Sequence, residues 1–452
     1  MFKQFKSVVA ASATIFPILA STPAYASTEP VTGDPVLYWH EVLQTALTGS
    51  PTVQSRGYAM VSVALHDAVN ASLGKPNKAY IPHIAATGGD TRAAAAVAAR
   101  NVLVHLNPAK TAEFDAALAN SLALVPNGTA KTAGMNTGAA ISAAVIANRT
   151  GDGSASISGY VPSGLPGRWA PTPPGFAPAA VPQYAQVDPW FMTAPTQFRA
   201  AAPPAIESVA YANAFLEVRD IGAAGSLIRT SDQTNAALFW AGANGTGPWI
   251  RAGIDQAQAA GLSTLQNAAL FARLSTAVAD ATIATWDTKY FYDYWRPVTA
   301  IRRADEDGNA LTIADPGWTP LIGTPPHPSY LSAHGAVGGA AATILASTFG
   351  AGGNFCLVAG GNTRCWNGFE AAALDGANSR LWGGIHWRFD NENGLALGQA
   401  VGRFTLSRAV FGAVPEPSAW TLMIVGFGII GAKARSRRRA LRFAPLGREP
   451  VG

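Results

Sequence analysis

His327-Pro-Ser-Tyr-Leu-Ser332-Ala333-His334-Gly335 leads straight into Ala336-Val-Gly-Gly-Ala-Ala-Ala-Thr-Ile-Leu-Ala-Ser-Thr-Phe349, an apolar run without a single charged residue. A run of that length with no alternation of apolar and polar positions reads as a buried helix, with Ser332 placed to cap its start. Helix-length segments rich in Ala and Leu recur on both sides of it, at about 38–47, 53–73, 92–106, 111–124 and 130–148, and again at 206–220, 231–241, 250–274, 276–303, 330–349, 368–387 and 393–411. Between the two groups, residues 150–202 hold prolines at 162, 166, 171, 173, 174, 178, 182 and 189, which break helices and mark a long loop or connection. The expectation is an all-α protein of two packed helical bundles, with the chemistry in the core of the C-terminal one.

The two ends of the chain read differently from its body. Residues 1–26 combine Lys3 and Lys6, an apolar run and Ala24-Tyr25-Ala26, the pattern of a signal peptide removed by signal peptidase. Residues 414–452 hold Val414-Pro-Glu-Pro417, a short apolar run and a basic cluster from Lys433 to Arg439. This resembles a PEP-CTERM sorting tail, cut by an exosortase. The apolar run is short for a membrane span, which needs about 20 residues. The expected division is 1–26 signal peptide, 27–150 first bundle, 151–202 connection, 203–413 second bundle and 414–452 sorting signal, in a protein exported to the periplasm, outer surface or extracellular matrix.

Charge and cysteines narrow the class further. Taking the nine Lys/Arg and two Asp/Glu of the two ends away from totals of 32 and 27 leaves a body with 23 cations and 25 anions, which argues against a nucleic-acid partner. Cys356 and Cys365, nine positions apart, read as a local disulfide in an exported chain; two cysteines alone make a poor metal site.

Three segments concentrate cations, histidines and a serine in regions otherwise starved of charge. In Lys289-Tyr-Phe-Tyr-Asp-Tyr-Trp-Arg296-Pro297, a continuous helix puts Lys289 and Arg296 two turns apart on one face. Among so many aromatics, two stacked cations call for a buried counter-ion or a bound oxyanion, unless each is an ordinary solvated charge. At the second segment a helix N-terminus accepts anions, Ser332 can donate a hydroxyl and His334 can move protons, or Ser332 is simply a cap and His334 a packed core residue. In the third, Ser379-Arg380-Leu-Trp-Gly-Gly-Ile-His386, Arg380 can fork two N–H groups onto an oxyanion and His386 can act as a ligand or nucleophile.

Taken together, Lys-x6-Arg-Pro, a Ser-Ala-His segment and Ser-Arg-x5-His resemble the three-part signature of the vanadium-dependent haloperoxidase and type 2 phosphatidic acid phosphatase superfamily. The resemblance extends to Tyr294-Trp-Arg-Pro-Val-Thr-Ala-Ile-Arg302, Gly384-Ile-His-Trp-Arg-Phe-Asp-Asn391 and, less specifically, His66-Asp67. It implies that Lys289, Arg296, Arg380, Ser332 and the backbone N–H of Ala333 hold the equatorial oxygens of vanadate or phosphate. It implies further that His386 is the axial ligand of vanadium or the nucleophile toward phosphorus, that His334 is the acid–base group, and that His327 sits at a halide position. Leu331 and Ala333 stand where the family usually has Pro and Gly, and a Cβ at 333 would disfavour a positive φ and crowd the oxyanion.

The favoured reaction is oxidation of halide, bromide in particular, by hydrogen peroxide with vanadate as cofactor, because Trp295-Arg-Pro and His327 resemble the peroxidases. The alternatives are an exported acid phosphatase that cleaves small phosphoesters through a phospho-histidine, and a surface or biofilm protein without turnover. A homodimer formed through helical faces is a further expectation from the resemblance.

Overall fold

The computed structural model describes residues 33–412 apart from 48, 83, 85–87, 244, 352 and 360. The signal peptide expected at 1–26 and the sorting tail expected at 414–452 lie outside the described residues. Within them the chain is about 60% helical, with 13 helices and one two-stranded sheet, an all-α architecture.

The first five helices are α1 (Pro35–Ala46), α2 (Pro51–Ser72), α3 (Thr91–Leu106), α4 (Thr111–Ala123) and α5 (Thr129–Arg149). After the proline-rich stretch come α6 (Val209–Ile221), α7 (Ser231–Gly242), α8 (Gly247–Ala260), α9 (Thr264–Tyr292), α10 (Pro297–Arg302) and α11 (Ala333–Phe349). A hairpin of β1 (Asn354–Ala359) and β2 (Asn362–Asn367) then precedes α12 (Phe369–Trp382) and α13 (Arg388–Leu406). Caps explain many of the starts: Asp34, Ser50, Asp90, Ser208 and Ser332 accept from backbone N–H groups, while Thr230 and Ser263 form capping boxes with Gln233 and Gln266.

At the centre lies α9, buried from Asn267 to Lys289. Its polar residues are compatible with that burial because Thr276, Thr282, Thr285 and Thr288 return their hydroxyls to carbonyls four residues back. The same helix packs on α2, with Ser275 joining the chain His40, Ser62, Ser275 through two contacts of 2.9 Å, and on α11 and α13 from the other half. The proline-rich stretch is an ordered strap over α9. Backbone N–H groups of Trp190, Phe191 and Met192 donate to the Asp280 carboxylate, and the Ala180 carbonyl accepts from Tyr290.

Several expected elements differ in ways that matter for the site. The helix expected at 276–303 ends at Tyr292, because Asp293 turns into the left-handed region (φ 54°) with its carboxylate held by Tyr160. Lys289 therefore closes α9 while Arg296 caps α10, and the two do not share a helix face. The helix expected at 368–387 stops at Trp382. Gly384, at φ +76°, turns the chain where any Cβ would meet the Gly222 carbonyl at 2.3 Å, and this turn swings His386 back before α13 begins. The helix expected at 250–274 is broken around Gly261, and that expected at 330–349 starts at Ala333. Residues 354–367, between the helices expected at 330–349 and 368–387, pair as β1 and β2, and Cys356 and Cys365 sit opposite each other in a disulfide.

Candidate active site

Two packing decisions bring the three segments together. The first is the contact of α11 with α13, so close that a Cβ at Gly398 would meet the Ala336 carbonyl at 2.0 Å. It draws the Ser332 N–H onto the Asp390 carbonyl at 2.9 Å. The second is the end of α9, where Lys289 donates to the carbonyls of Pro328 and Ser329 at 2.7 and 2.9 Å and so grips the loop before α11.

Arg296 lies at the centre and is fully buried. Its Nε donates to the His327 carbonyl, one Nη to the Ile385 carbonyl at 2.7 Å and to His386 Nε2 at 3.1 Å, and the other to His327 Nδ1 at 2.9 Å. A guanidinium only donates, so His386 Nε2 and His327 Nδ1 face it as lone pairs. His386 carries its proton on Nδ1, which donates to Asp390 Oδ2 at 2.7 Å, and the same oxygen accepts from the Ser329 hydroxyl at 2.5 Å. This fixes the imidazole tautomer and its aim, as a carboxylate does behind a metal-bound histidine. His334 donates from Nε2 to the Trp240 carbonyl at 3.2 Å, which leaves Nδ1 as its acceptor.

Arg380 is 5% exposed, yet its Nε and one Nη have no partner among the described residues. A buried arginine with two idle N–H groups is out of balance for a folded core, where polar groups are normally satisfied. The local charge is out of balance as well. Lys289, Arg296 and Arg380 converge here against one buried carboxylate, Asp390. Burial pushes Arg296 down to about 9 and Arg380 to about 10. Burial and then Arg296 hold Lys289 well below the usual ammonium range. Burial is also the chief reason that His327, His334 and His386 lie well below the usual imidazole range, with the neighbouring cations adding to it. Burial is the first cause of every one of these shifts and the sole cause for Arg380; repulsion between the cations adds to it at Lys289, Arg296 and the three histidines.

The expected residues therefore come together, and a cavity of about 460 Å³ opens among His327, Ala333, His334, Arg380 and His386. Ser332 is the cap of α11 and Ala333 its first residue, within a helix and outside the set of residues with positive φ. The expected conflict between a Cβ at 333 and the backbone does not arise. His66 and Asp67 lie away from the cavity, where Asp67 anchors the backbone of Tyr80 and Ile81. Two residues of the cluster were not singled out from the sequence, Asp390 and Ser329. His386 precedes α13, so its spacing of four to Asp390 gives no shared helix face and no signal in the sequence.

The residues present fit a tetrahedral oxyanion such as vanadate or phosphate. They supply idle guanidinium donors, a helix N-terminus with free amides and a histidine lone pair, with cations in excess.

Comparisons with known proteins agree with this geometry. Residues 269–411 match the VCPO second helical-bundle domain, and residues 413–439 match the PEP-CTERM protein-sorting motif, which marks an exported protein processed by exosortase. No curated protein matches the chain. The crystal structure described as the first bacterial vanadium-dependent iodoperoxidase is similar at 25% identity, with a TM-score of 0.68 over 82% of this chain and 93% of that one. The holo form of a bacterial vanadium-dependent chloroperoxidase aligns with a TM-score of 0.64 and 18% identity, over 80% of this chain and 93% of that one. The apo form of a bacterial vanadium-dependent chloroperoxidase aligns with a TM-score of 0.65 and 17% identity, over 78% of this chain and 93% of that one. Residues 269–411 thus match the second helical bundle of the vanadium haloperoxidases, the chain shares the fold of those solved structures, and a PEP-CTERM sorting motif follows.

Proposed function

We propose that the protein is a vanadate-dependent haloperoxidase that oxidises halide, bromide in particular, with hydrogen peroxide. The observation that carries this reading is the pair of idle Arg380 N–H groups beside His386, whose Nδ1 is held by Asp390 and whose Nε2 is a lone pair. In this reading Arg380, Arg296, Lys289, the Ser332 hydroxyl and the Ala333 N–H would hold the oxyanion, with the His386 imidazole beside it. Bound vanadate supplies an electrophilic centre that activates hydrogen peroxide toward halide. Asp390 keeps the His386 lone pair aimed at the oxyanion. His334, neutral in its buried setting, takes a proton from hydrogen peroxide on Nδ1 and returns it to the leaving oxygen. His327 and Trp286, with ring centroids 5.1 Å apart, form a weakly hydrated corner suited to a large, polarisable halide.

The division into bundles at 27–150 and 203–413 joined by 151–202, and a mature protein at the cell surface or in the extracellular matrix, belong to the same proposal. The test is bromide oxidation by hydrogen peroxide with and without vanadate, beside phosphate release from a small phosphomonoester. Oxidation that requires vanadate and disappears in His386→Ala supports the proposal. Phosphate release that vanadate only inhibits would replace it with a phosphatase acting through a phospho-His386. Silence in both assays would favour a surface protein without turnover.

A further inference from the structure

We propose that Arg364, on β2 of the hairpin, is a positioning residue for His334: by fixing α7 it sets which ring nitrogen of that histidine carries the proton. The proposal rests on the acid–base role given to His334 above and adds the residues that hold it ready for that role.

His334 lies in the first turn of α11, yet the group it leans on belongs to α7. Its Nε2 stands 3.2 Å from the Trp240 carbonyl, and a carbonyl only accepts, so the proton sits on Nε2 and the lone pair on Nδ1. Trp240 is in the last turn of the 12-residue α7, where carbonyls have no helical donor left and the negative end of the helix dipole favours an N–H. His334 also lines the cavity, so the nitrogen that α7 leaves free is the one that can take a proton there. Displacement of the Trp240 carbonyl would let the ring exchange between its two tautomers.

That carbonyl is held in place from behind. The Trp240 indole packs so closely on α12 that a Cβ at Gly376 would meet its ring at 3.2 Å, and its Nε1 donates to Asp375 Oδ2 at 2.8 Å. Asp375 is gripped in turn by Arg364, whose Nε donates to Oδ2 and one Nη to Oδ1, both at 2.7 Å. This is the two-pronged pairing that a guanidinium makes and an ammonium cannot. The two side chains are 16% and 10% exposed, so water screens the pair little. Arg364 also reaches Asp232 in the first turn of α7, but that carboxylate is largely exposed and the second pair adds little. One arginine therefore touches α7 at its start and, through Asp375, at its end. The hairpin fixes Arg364 itself, since the next residue, Cys365, is bonded to Cys356 and Trp366 packs on Trp240 with ring centroids 5.6 Å apart. Among the described residues neither Arg364 nor Asp375 bonds to Lys289, Arg296 or Arg380, so the hold on His334 can be loosened apart from the oxyanion site.

The experiment is NMR of the vanadate-free full chain with its histidines labelled by nitrogen-15; there are only seven, and His334 is identified by its loss in His334→Gln. The unsubstituted protein is expected to show an unprotonated Nδ1 and a protonated Nε2 as separate signals. The double variant Arg364→Met/Asp375→Leu replaces a largely buried ion pair by apolar side chains, so the fold should keep its stability while the two His334 signals shift toward each other. Trp240→Phe, which removes the indole N–H that reaches Asp375, should give a smaller shift of the same sense, and Arg364→Lys, which keeps a cation against Asp375, the smallest. With vanadate, kcat for bromide oxidation is expected to fall about tenfold in the double variant while the KM for bromide stays within about twofold. His334 signals that are the same in the double variant, in Trp240→Phe and in the unsubstituted protein overturn the proposal and leave the haloperoxidase reading standing. Shifted signals with an unchanged kcat overturn it as well, because the tautomer of His334 then has no part in the reaction. Shifted signals in a protein that oxidises no bromide keep the hold of Arg364 on His334 and overturn the haloperoxidase reading.

Discussion

Arg149, which closes α5, and Arg380, in α12, are each 5% exposed, but only Arg149 has its donors used. Its Nε reaches Asn148, one Nη the Asp188 carbonyl at 2.8 Å, the other the Tyr80 hydroxyl at 2.7 Å, and its guanidinium lies 3.9 Å from the centre of the Trp190 ring. Arg380 has two donors with nothing to bond. The carboxylates of the two regions repeat the contrast. Asp280 accepts three backbone N–H groups on its two oxygens, whereas Asp390 crowds its contacts onto Oδ2 and leaves Oδ1 without a partner. In the first of these two regions the chain satisfies its own arginine and aspartate; in the second, beside a cavity, donors and an acceptor stay idle, arranged for something that arrives later.

Removing Arg149 should do the greater harm to stability. Arg149→Ala leaves carbonyls and the Tyr80 hydroxyl without partners and is expected to cost about 3 kcal/mol, seen as a lower urea midpoint. Equal stability of this variant and the unsubstituted protein would erase the contrast. Asp390→Asn removes the acceptor that holds His386 Nδ1 while keeping the shape, and should weaken vanadate binding roughly 10–100-fold with little change in fold. A calorimetric titration with orthovanadate measures it.

Acid should sharpen the difference further. Burial holds His40 down at about 4, and His327, His334 and His386 also lie well below their usual range. The unfolded chain therefore binds protons that these four refuse, and their share of the stability is lost as pH falls from about 6.5 toward 4. Asp280 and Asp390, both raised to about 6, act the other way, since the folded state binds their protons first. Asp293, also raised by burial, joins them, and four groups against three give a net loss of stability on acidification over that window, readable as urea midpoints against pH. The smallest effect belongs to Ala333→Gly. With Ala333 already helical, restoring the residue usual in the family should change vanadate affinity by less than about threefold.

Much of this was legible in the sequence because buried helices are written in long runs of Ala, Leu and Gly, and because cations stand out in a chain with only 13% charged residues. Lys289, Arg296, Arg380 and the histidines His334 and His386 could be found for that reason. The break after Tyr292 was not legible. The aromatic run around it keeps a helical pattern, and the left-handed turn at Asp293 goes with a hydrogen bond from Tyr160, 133 residues away. The hairpin escaped notice because the alternation of buried and exposed positions in β1 lasts only six residues. Asp390 hid among the polar residues that open α13, since only the folded turn at Gly384 reveals that His386 leans on it.

The most direct test of the central claim is the binding of orthovanadate to the unsubstituted protein and to Arg380→Met, followed by calorimetry beside thermal unfolding. One site per chain is expected, weakened about 100-fold or more in Arg380→Met, while the vanadate-free variant is as stable as the unsubstituted protein or more so, because a buried cation without a counter-ion has been removed. Equal affinity in both proteins, or a variant destabilised as much as Arg149→Ala, would contradict the account by making Arg380 part of the scaffold.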